Sequence, residues 1–196
     1  MNALNNISFL IIHGNGGSTI NDHWFPYLKE ELQKLGGTVI AETFPDNDLA
    51  RKSYWLPFIE TKLNGNTNSV IIGHSSGAIA AMSYAENHKI LGSVLVGGYY
   101  SDLGIPKEKA SGFFDEPWDW KAIKNNQQWI LQFASKDDPW IPIEEPRFIH
   151  QHLGSKYFEY DNMGHFGGDY YKPTFPELLE ALKEQLFTYS APKLIY

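Results

Sequence analysis

The stretch Ser69-Val70-Ile71-Ile72-Gly73-His74-Ser75-Ser76-Gly77, running directly into Ala78-Ile79-Ala80-Ala81-Met82, constrains this chain more than any other segment. A β-branched apolar run enters a G-x-S-x-G pentapeptide and leaves as an alanine-rich helix, the strand, sharp turn and helix that a nucleophile elbow requires. Ser75 falls at the apex. Gly73 and Gly77 carry no Cβ, so strand and helix can close around a residue held in a strained backbone conformation. That geometry would lift the Ser75 hydroxyl clear of its neighbours. It would also aim the first N–H groups of the helix, Ser76 foremost, at a carbonyl oxygen that gains negative charge. An ordinary Gly/Ser turn is the plain alternative, and the apolar strand before it and helix after it argue against that reading.

The remainder of the chain supplies strands and helices in alternation. Apolar runs predict strands at Ile7–Ile12, Thr38–Phe44, Ser69–Gly73, Leu91–Val96, Gln128–Phe133 and Lys156–Tyr160. Helical spacing predicts helices from Trp24 to Leu35 with Asn21 or Asp22 as cap, from Leu49 to Leu63 with Pro57 forcing a kink or a late start, and from Ser75 to about His88. Further helices are expected around Trp118–Asn125, over Ile143–Leu153, and from Phe175 to Tyr189 with Thr174 and Glu177 as a capping box. The last residues read as a tail. Alternating elements of this kind build parallel β-α-β units, so the chain of 196 residues is expected to form one α/β domain spanning 1–196. If the elbow belongs to an α/β hydrolase, the expectation is a three-layer fold with helices on both faces of a six-stranded parallel sheet in the order 2-1-3-4-5-6. The first and third strands are then neighbours whose outgoing loops diverge and open a crevice.

Composition narrows the partners. A formal net charge of −7 without a block of either sign argues against nucleic acid and against an anionic membrane surface. The absence of cysteine removes disulfides, thiolate metal sites and a Cys nucleophile together. No signal-peptide pattern and no membrane-length apolar run is visible, so the expected location is cytoplasmic. The seven histidines include no H-E-x-x-H or similarly tight pair, so neither a metal nor another cofactor is expected.

A serine hydroxyl needs a base, and His165 in Asn162-Met163-Gly164-His165-Phe166-Gly167-Gly168, between the sixth strand and the last helix, is the candidate. The imidazole in turn needs a carboxylate. Ser135-Lys136-Asp137-Asp138-Pro139 supplies two; Asp138 is preferred because Pro139 fixes the turn after it, with Asp137 the alternative. The chain order Ser, Asp, His matches that of α/β hydrolases. For the oxyanion, Ser76 N–H is one expected donor and Asn15 N–H the other, from the loop His13-Gly14-Asn15-Gly16-Gly17, with Gly16 next in preference. Substrate contacts are expected at Gly14, His74, Trp140 and Phe166. The irregular segment Tyr99–Trp120 lies where cap insertions enter such folds and is too short for a full lid. Its aromatic residues Tyr99, Tyr100, Phe113, Phe114, Trp118 and Trp120 are candidates for an apolar pocket, and Asp102, Asp115, Glu116 and Asp119 for meeting a substrate amino group.

With these residues in view, the chain resembles the retinoblastoma-binding protein nine family of small serine hydrolases and related bacterial α/β hydrolases. The likeness rests on Gly14-Asn15-Gly16-Gly17, Trp55-Leu56-Pro57-Phe58, Ile71 to Met82, Ser101-Asp102-Leu103-Gly104, Ala110-Ser111-Gly112, Pro117-Trp118, Asp137-Asp138-Pro139 and Gly164-His165-Phe166. The resemblance implies a Ser75, Asp138, His165 triad and hydrolysis of small ester or amide substrates, including amino-acid derivatives with apolar or aromatic side chains. It does not extend to a retinoblastoma-type partner. The L-x-C-x-E segment credited with that binding is replaced here by Leu63-Asn64-Gly65-Asn66-Thr67. Two other readings stand beside an aminoacyl hydrolase: a carboxylesterase or thioesterase with no peptide activity, and a non-catalytic interaction module on the same scaffold.

Overall fold

The computed structural model describes residues 4 and 6–190, and the tail read at the C-terminus lies outside them. Six parallel strands, β1 (Ser8–Ile12), β2 (Thr38–Ala41), β3 (Ser69–His74), β4 (Gly92–Val96), β5 (Trp129–Ser135) and β6 (Lys156–Tyr160), form one sheet in the order β2-β1-β3-β4-β5-β6. Among the described residues seven helices accompany them: α1 (Phe25–Lys34), α2 (Lys52–Leu63), α3 (Ser76–Ala85), α4 (Pro106–Ala110), α5 (Trp120–Asn125), α6 (Glu144–Leu153) and α7 (Pro176–Ser190).

The two-residue period of a strand sorts the core into two halves. Leu10 and Ile12 of β1 and Ile71 of β3 face α2, α3 and α6, where Trp55, Ile59, Ile79 and Ile149 pack against them. Phe9 and Ile11 of β1 and Val70 and Ile72 of β3 face the opposite way, onto Trp24, Phe25, Leu28 and Leu32 before and within α1 and onto Leu178 and Leu182 of α7. The result is the three-layer α/β-hydrolase architecture. β3, β4 and β5 are buried along their whole length, which is why their sequences read as continuous apolar runs rather than alternating ones.

Several boundaries differ from the sequence reading for identifiable reasons. β2 stops at Ala41 because it is an edge strand; Phe44 leaves the sheet and buries itself against Trp55 and Phe58. Helix α2 begins late, at Lys52, and Pro57 lies inside it. Helix α1 is not capped by Asn21 or Asp22: its N-cap is Trp24, and the Asp22 carboxylate instead accepts from Thr19 N–H at 2.7 Å. Thr174 does not cap α7 either, since that helix begins at Pro176 and the Phe175 carbonyl takes its first bond, from Leu179 N–H at 3.2 Å. Strand β5 runs two residues past Phe133 to Ser135, which brings Asp137 and Asp138 to the sheet edge. Helix α4 went unread because five residues give no period.

Candidate active site

The elbow is built as its sterics require. Ser75 stands at the end of β3 with φ 55° and ψ −123°, a conformation that L-residues rarely adopt, and its N–H donates to the Val96 carbonyl at 2.8 Å. A Cβ on Gly73 would collide with the backbone of Gly77, and one on Gly77 with the carbonyls of Ile12 and His13. Strand β1, the elbow and α3 are therefore packed backbone to backbone. Gly14 completes the contact, for a Cβ there would sit 3.2 Å from the Ser75 Cβ.

The loop after β1 is held from three sides. The His13 ring, fully buried, donates from Nδ1 to the Gly14 carbonyl at 2.7 Å and accepts the Phe44 N–H at Nε2 at 2.8 Å, which fixes its tautomer as neutral. Burial pulls its pKa below the usual imidazole value. Gly16 and Gly17 donate their N–H groups to the carbonyls of Asp48 and Asn47 at 3.1 Å each. Gly16 is thereby spent. The N–H groups of Asn15 and Ser76 have no acceptor among the described residues, so of the two candidates in this loop Asn15 is the one with a donor to offer.

His165 is fixed at three points. Its Nδ1–H donates to Asp138 Oδ2 at 2.7 Å, its N–H to Asp169 Oδ1 at 3.1 Å, and its carbonyl accepts the His74 Nε2–H at 2.7 Å. The side chains of both His165 and Asp138 are only 3% exposed. Asp138 Oδ1 in turn accepts the N–H groups of Trp140 at 2.9 Å and Ile141 at 3.0 Å. Asp137, the alternative, faces elsewhere: it accepts from Ser135 Oγ at 2.6 Å and from Gly164 N–H at 2.9 Å, and those bonds hold its pKa below the ordinary aspartate value. It braces the histidine loop instead of meeting the ring.

His74 lines the same space but is almost wholly buried, with its ring among Trp24, Phe25, His23 and His165. Burial, then the neighbouring His165, drives its pKa well below the usual value, so it stays neutral and acts as a prop for the His165 carbonyl. Phe166 is a correction. It is fully buried, at φ 57°, stacked on Phe175 with its carbonyl accepting Trp24 Nε1–H at 2.9 Å. It anchors the histidine loop from below and lines neither of the cavities that Ser75 borders.

Ser75, His165, Asn15 and Trp140 border two cavities. The larger, about 500 Å³, is walled by Gly14 to Ser18, Asp22, His23, His74, Gly167 and Gly168. The smaller, about 280 Å³, adds Tyr99, Leu103, Ile105, Glu108, Pro139 and Ile141. Trp140 is half exposed and meets the His165 ring edge-on at 4.8 Å between centroids. Neither the Ser75 hydroxyl nor His165 Nε2 is engaged in a hydrogen bond within the described residues. Catalytic hydrogen bonds are commonly loose in the free state and tighten around a substrate.

The segment between β4 and α5 contributes less than its aromatic content suggested. Tyr99 reaches the smaller cavity, whereas Tyr100, Phe114 and Trp118 border a separate depression together with Asp102, Asp115 and Glu116. None of the four acids considered for an amino group lies at Ser75. Glu108, which sequence reasoning passed over, does. Among the described residues no group of three or more His, Asp or Glu side chains is arranged to hold a metal ion, and no helix is long and apolar enough to cross a membrane.

A hydroxyl on a strained strand-to-helix turn, an imidazole oriented by a buried carboxylate, and free backbone donors from two loops on one sheet edge define a serine hydrolase of the α/β-hydrolase fold. Comparison with known proteins agrees: residues 9–184 match the model of the family described as serine hydrolase, and the chain belongs to that family. It is 42% identical over 179 residues to the rat (Rattus norvegicus) serine hydrolase RBBP9, covering 90% of this chain and 94% of that one, so the resemblance read from the sequence holds. The Bacillus subtilis YdeN protein is 27% identical over 161 residues, covering 80% of this chain and 84% of its own. The crystal structure of that ydeN product superposes with a TM-score of 0.83 at 24% identity, covering 92% and 98% of the two chains. An esterase from Pyrococcus furiosus shares the fold at a TM-score of 0.69 and 16% identity, covering 95% of this chain and 82% of that one.

Proposed function

We propose that the chain hydrolyses small ester or amide substrates, including aminoacyl derivatives with apolar or aromatic side chains, through an acyl-enzyme on Ser75. His165 Nε2 takes the proton from the Ser75 hydroxyl as Oγ attacks the substrate carbonyl, and Asp138 stabilises the imidazolium that forms. The N–H groups of Asn15 and Ser76 receive the oxyanion. His165 then returns the proton to the leaving alcohol or amine. Water, deprotonated by the same imidazole, attacks the acyl-enzyme and releases the acid and Ser75.

The observation that carries this reading is the 2.7 Å bond from His165 Nδ1 to a buried Asp138, which leaves Nε2 as the basic nitrogen beside the cavities that Ser75 borders. Leu103, Ile105, Ile141 and Trp140 around the smaller cavity support an apolar or aromatic group there, while the larger, more polar cavity suits the rest of the substrate. The lack of cysteine is in keeping with work in a reducing compartment, and the cytoplasm is the proposed location. The test is a panel of acyl and N-free or N-blocked aminoacyl fluorogenic substrates assayed with wild type, Ser75→Ala and His165→Ala. Turnover that vanishes in both variants supports the reading. Turnover that survives in either removes that residue from its role, and a folded wild type inert towards the whole panel and towards fluorophosphonates favours an interaction module.

A further inference from the structure

Glu108 is the one carboxylate carried by the short helix α4, and it is buried, with 8% of the residue exposed. Among the described residues no cation lies within ion-pair distance of it. Both of its oxygens are nonetheless committed: Oε1 accepts from Asn15 Nδ2 at 2.6 Å and Oε2 from the Tyr99 hydroxyl at 2.6 Å. With its proton given to Glu108, the Tyr99 oxygen accepts from Ser76 Oγ at 3.0 Å. The two ends of this chain of hydrogen bonds are Asn15 and Ser76, the residues whose backbone N–H groups have no acceptor among the described residues and are proposed above to receive the oxyanion. One comes from the loop after β1 and the other from the start of α3.

We infer that Glu108 is a positioning residue that sets the spacing and direction of the two oxyanion donors, acting on Asn15 directly and on Ser76 through Tyr99. The inference rests on the proposed roles of Ser75, Asn15 and Ser76. Both Glu108 oxygens act as acceptors, so the carboxylate dictates the polarity of the whole chain. The Asn15 amide must turn its NH2 group towards α4, the Tyr99 proton must point at Glu108, and the Ser76 hydroxyl must donate to Tyr99, away from Ser75. A neutral amide at the same place would permit the chain to run either way. Burying an uncompensated carboxylate is costly unless its hydrogen bonds repay the lost hydration, so a group kept here for packing alone would be better apolar. In this view the segment between β4 and α5 serves as a clamp on the oxyanion loop. Further bonds support it: Lys107 pairs with Asp48 at 2.7 Å, and the Asp48 carbonyl holds the Gly16 N–H.

The test compares Glu108→Ala, Glu108→Gln and Tyr99→Phe with wild type on 4-nitrophenyl butyrate, together with the affinity of a trifluoromethyl ketone that forms a tetrahedral oxyanion adduct. A misplacement of about 1 Å in such a site costs up to ~10²-fold in rate, so Glu108→Ala is expected to lower kcat between about tenfold and that bound. KM is expected to stay within about twofold, because donors aligned on the oxyanion act in the transition state and not on the bound ester. Glu108→Gln restores part of the loss, Tyr99→Phe shows a smaller one, and ketone affinity weakens in step with kcat/KM. A folded Glu108→Ala with wild-type kcat, or a loss confined to KM or to Tm, overturns the inference. Should Glu108→Ala fail to fold, wild-type kcat and ketone affinity in both other variants overturn it. Ser75→Ala separates the two levels: residual turnover there defeats the underlying site, whereas a dead Ser75→Ala beside unaffected Glu108 and Tyr99 variants defeats this inference alone.

Discussion

Replacing Asp138 by asparagine changes one atom, and the structure determines which way the new amide must face. Asp138 Oδ1 accepts two backbone N–H groups, from Trp140 and Ile141, while Oδ2 accepts the single His165 Nδ1–H. An asparagine has one oxygen for these three donors. Keeping it on the two backbone donors places the NH2 group against His165 Nδ1, whereas the opposite orientation would set an NH2 against both N–H groups. The first arrangement wins. His165 Nδ1 must then present its lone pair, so the proton moves to Nε2, the nitrogen proposed to receive the Ser75 proton. The fold is kept and the base is lost. Exchanges that trap a triad histidine in the wrong tautomer cost about 10⁴-fold in kcat, or about 5.5 kcal/mol of transition-state stabilisation. The assay is steady-state hydrolysis of a 4-nitrophenyl ester by Asp138→Asn and, as a comparison, Asp137→Asn. Asp137 contacts Ser135 and Gly164 and not the ring, so its exchange is expected to cost far less. Activity of Asp138→Asn within about tenfold of wild type, or Asp137→Asn as the more damaged of the two, would refute the reasoning, since a tautomer switch is an all-or-nothing loss of the base.

Two further outcomes follow from the packing around the elbow and from the buried imidazoles. Gly77→Ala drives a Cβ into the carbonyls of Ile12 and His13, backbone atoms with nowhere to go, so thermal unfolding should show a loss of about 1–3 kcal/mol and kcat should fall with the displaced Ser76 N–H; unchanged Tm and kcat would contradict the close packing. His13, His23 and His74 all have pKa values lowered from 6.5, with burial the leading cause in each. Below pH 6.5 the unfolded chain takes up protons that the folded one refuses, so stability is present above that pH and is lost as pH falls towards the folded values. Urea midpoints measured from pH 7.5 down to 5.5, values chosen as roughly one unit either side of the free imidazole pKa, should decline, and a flat or rising series would refute the neutral assignments.

How much of this was legible in the sequence depended on whether the signal was local. The apolar runs at Phe9–Ile12, Val70–Ile72 and Val94–Val96 announce buried parallel strands because both of their faces are covered. Gly73 and Gly77 declare the elbow around Ser75 because a side chain at either would run into neighbouring backbone. The choice between Asp137 and Asp138 was harder, for adjacent residues point in different directions only once the turn is formed. Pro139 favoured Asp138, and Asp138 is the carboxylate that meets the His165 ring. Phe166 was misread because proximity in sequence to His165 says nothing about orientation; its positive φ turns the ring inward beneath the loop. The Asn15, Glu108, Tyr99 and Ser76 network left no trace in the sequence. Its members come from four separate segments, and Glu108 reads there as one acid among solvated lysines on a helix too short to show a pattern.

The central claim, that one serine at the end of β3 is the nucleophile, is tested most directly by locating a covalent adduct. Wild-type protein treated with a fluorophosphonate and digested for mass spectrometry should carry a single phosphonyl group on Ser75, with labelling absent in Ser75→Ala and strongly slowed in His165→Ala. A stable adduct on any other residue, or equal labelling of the Ser75→Ala protein, would contradict it.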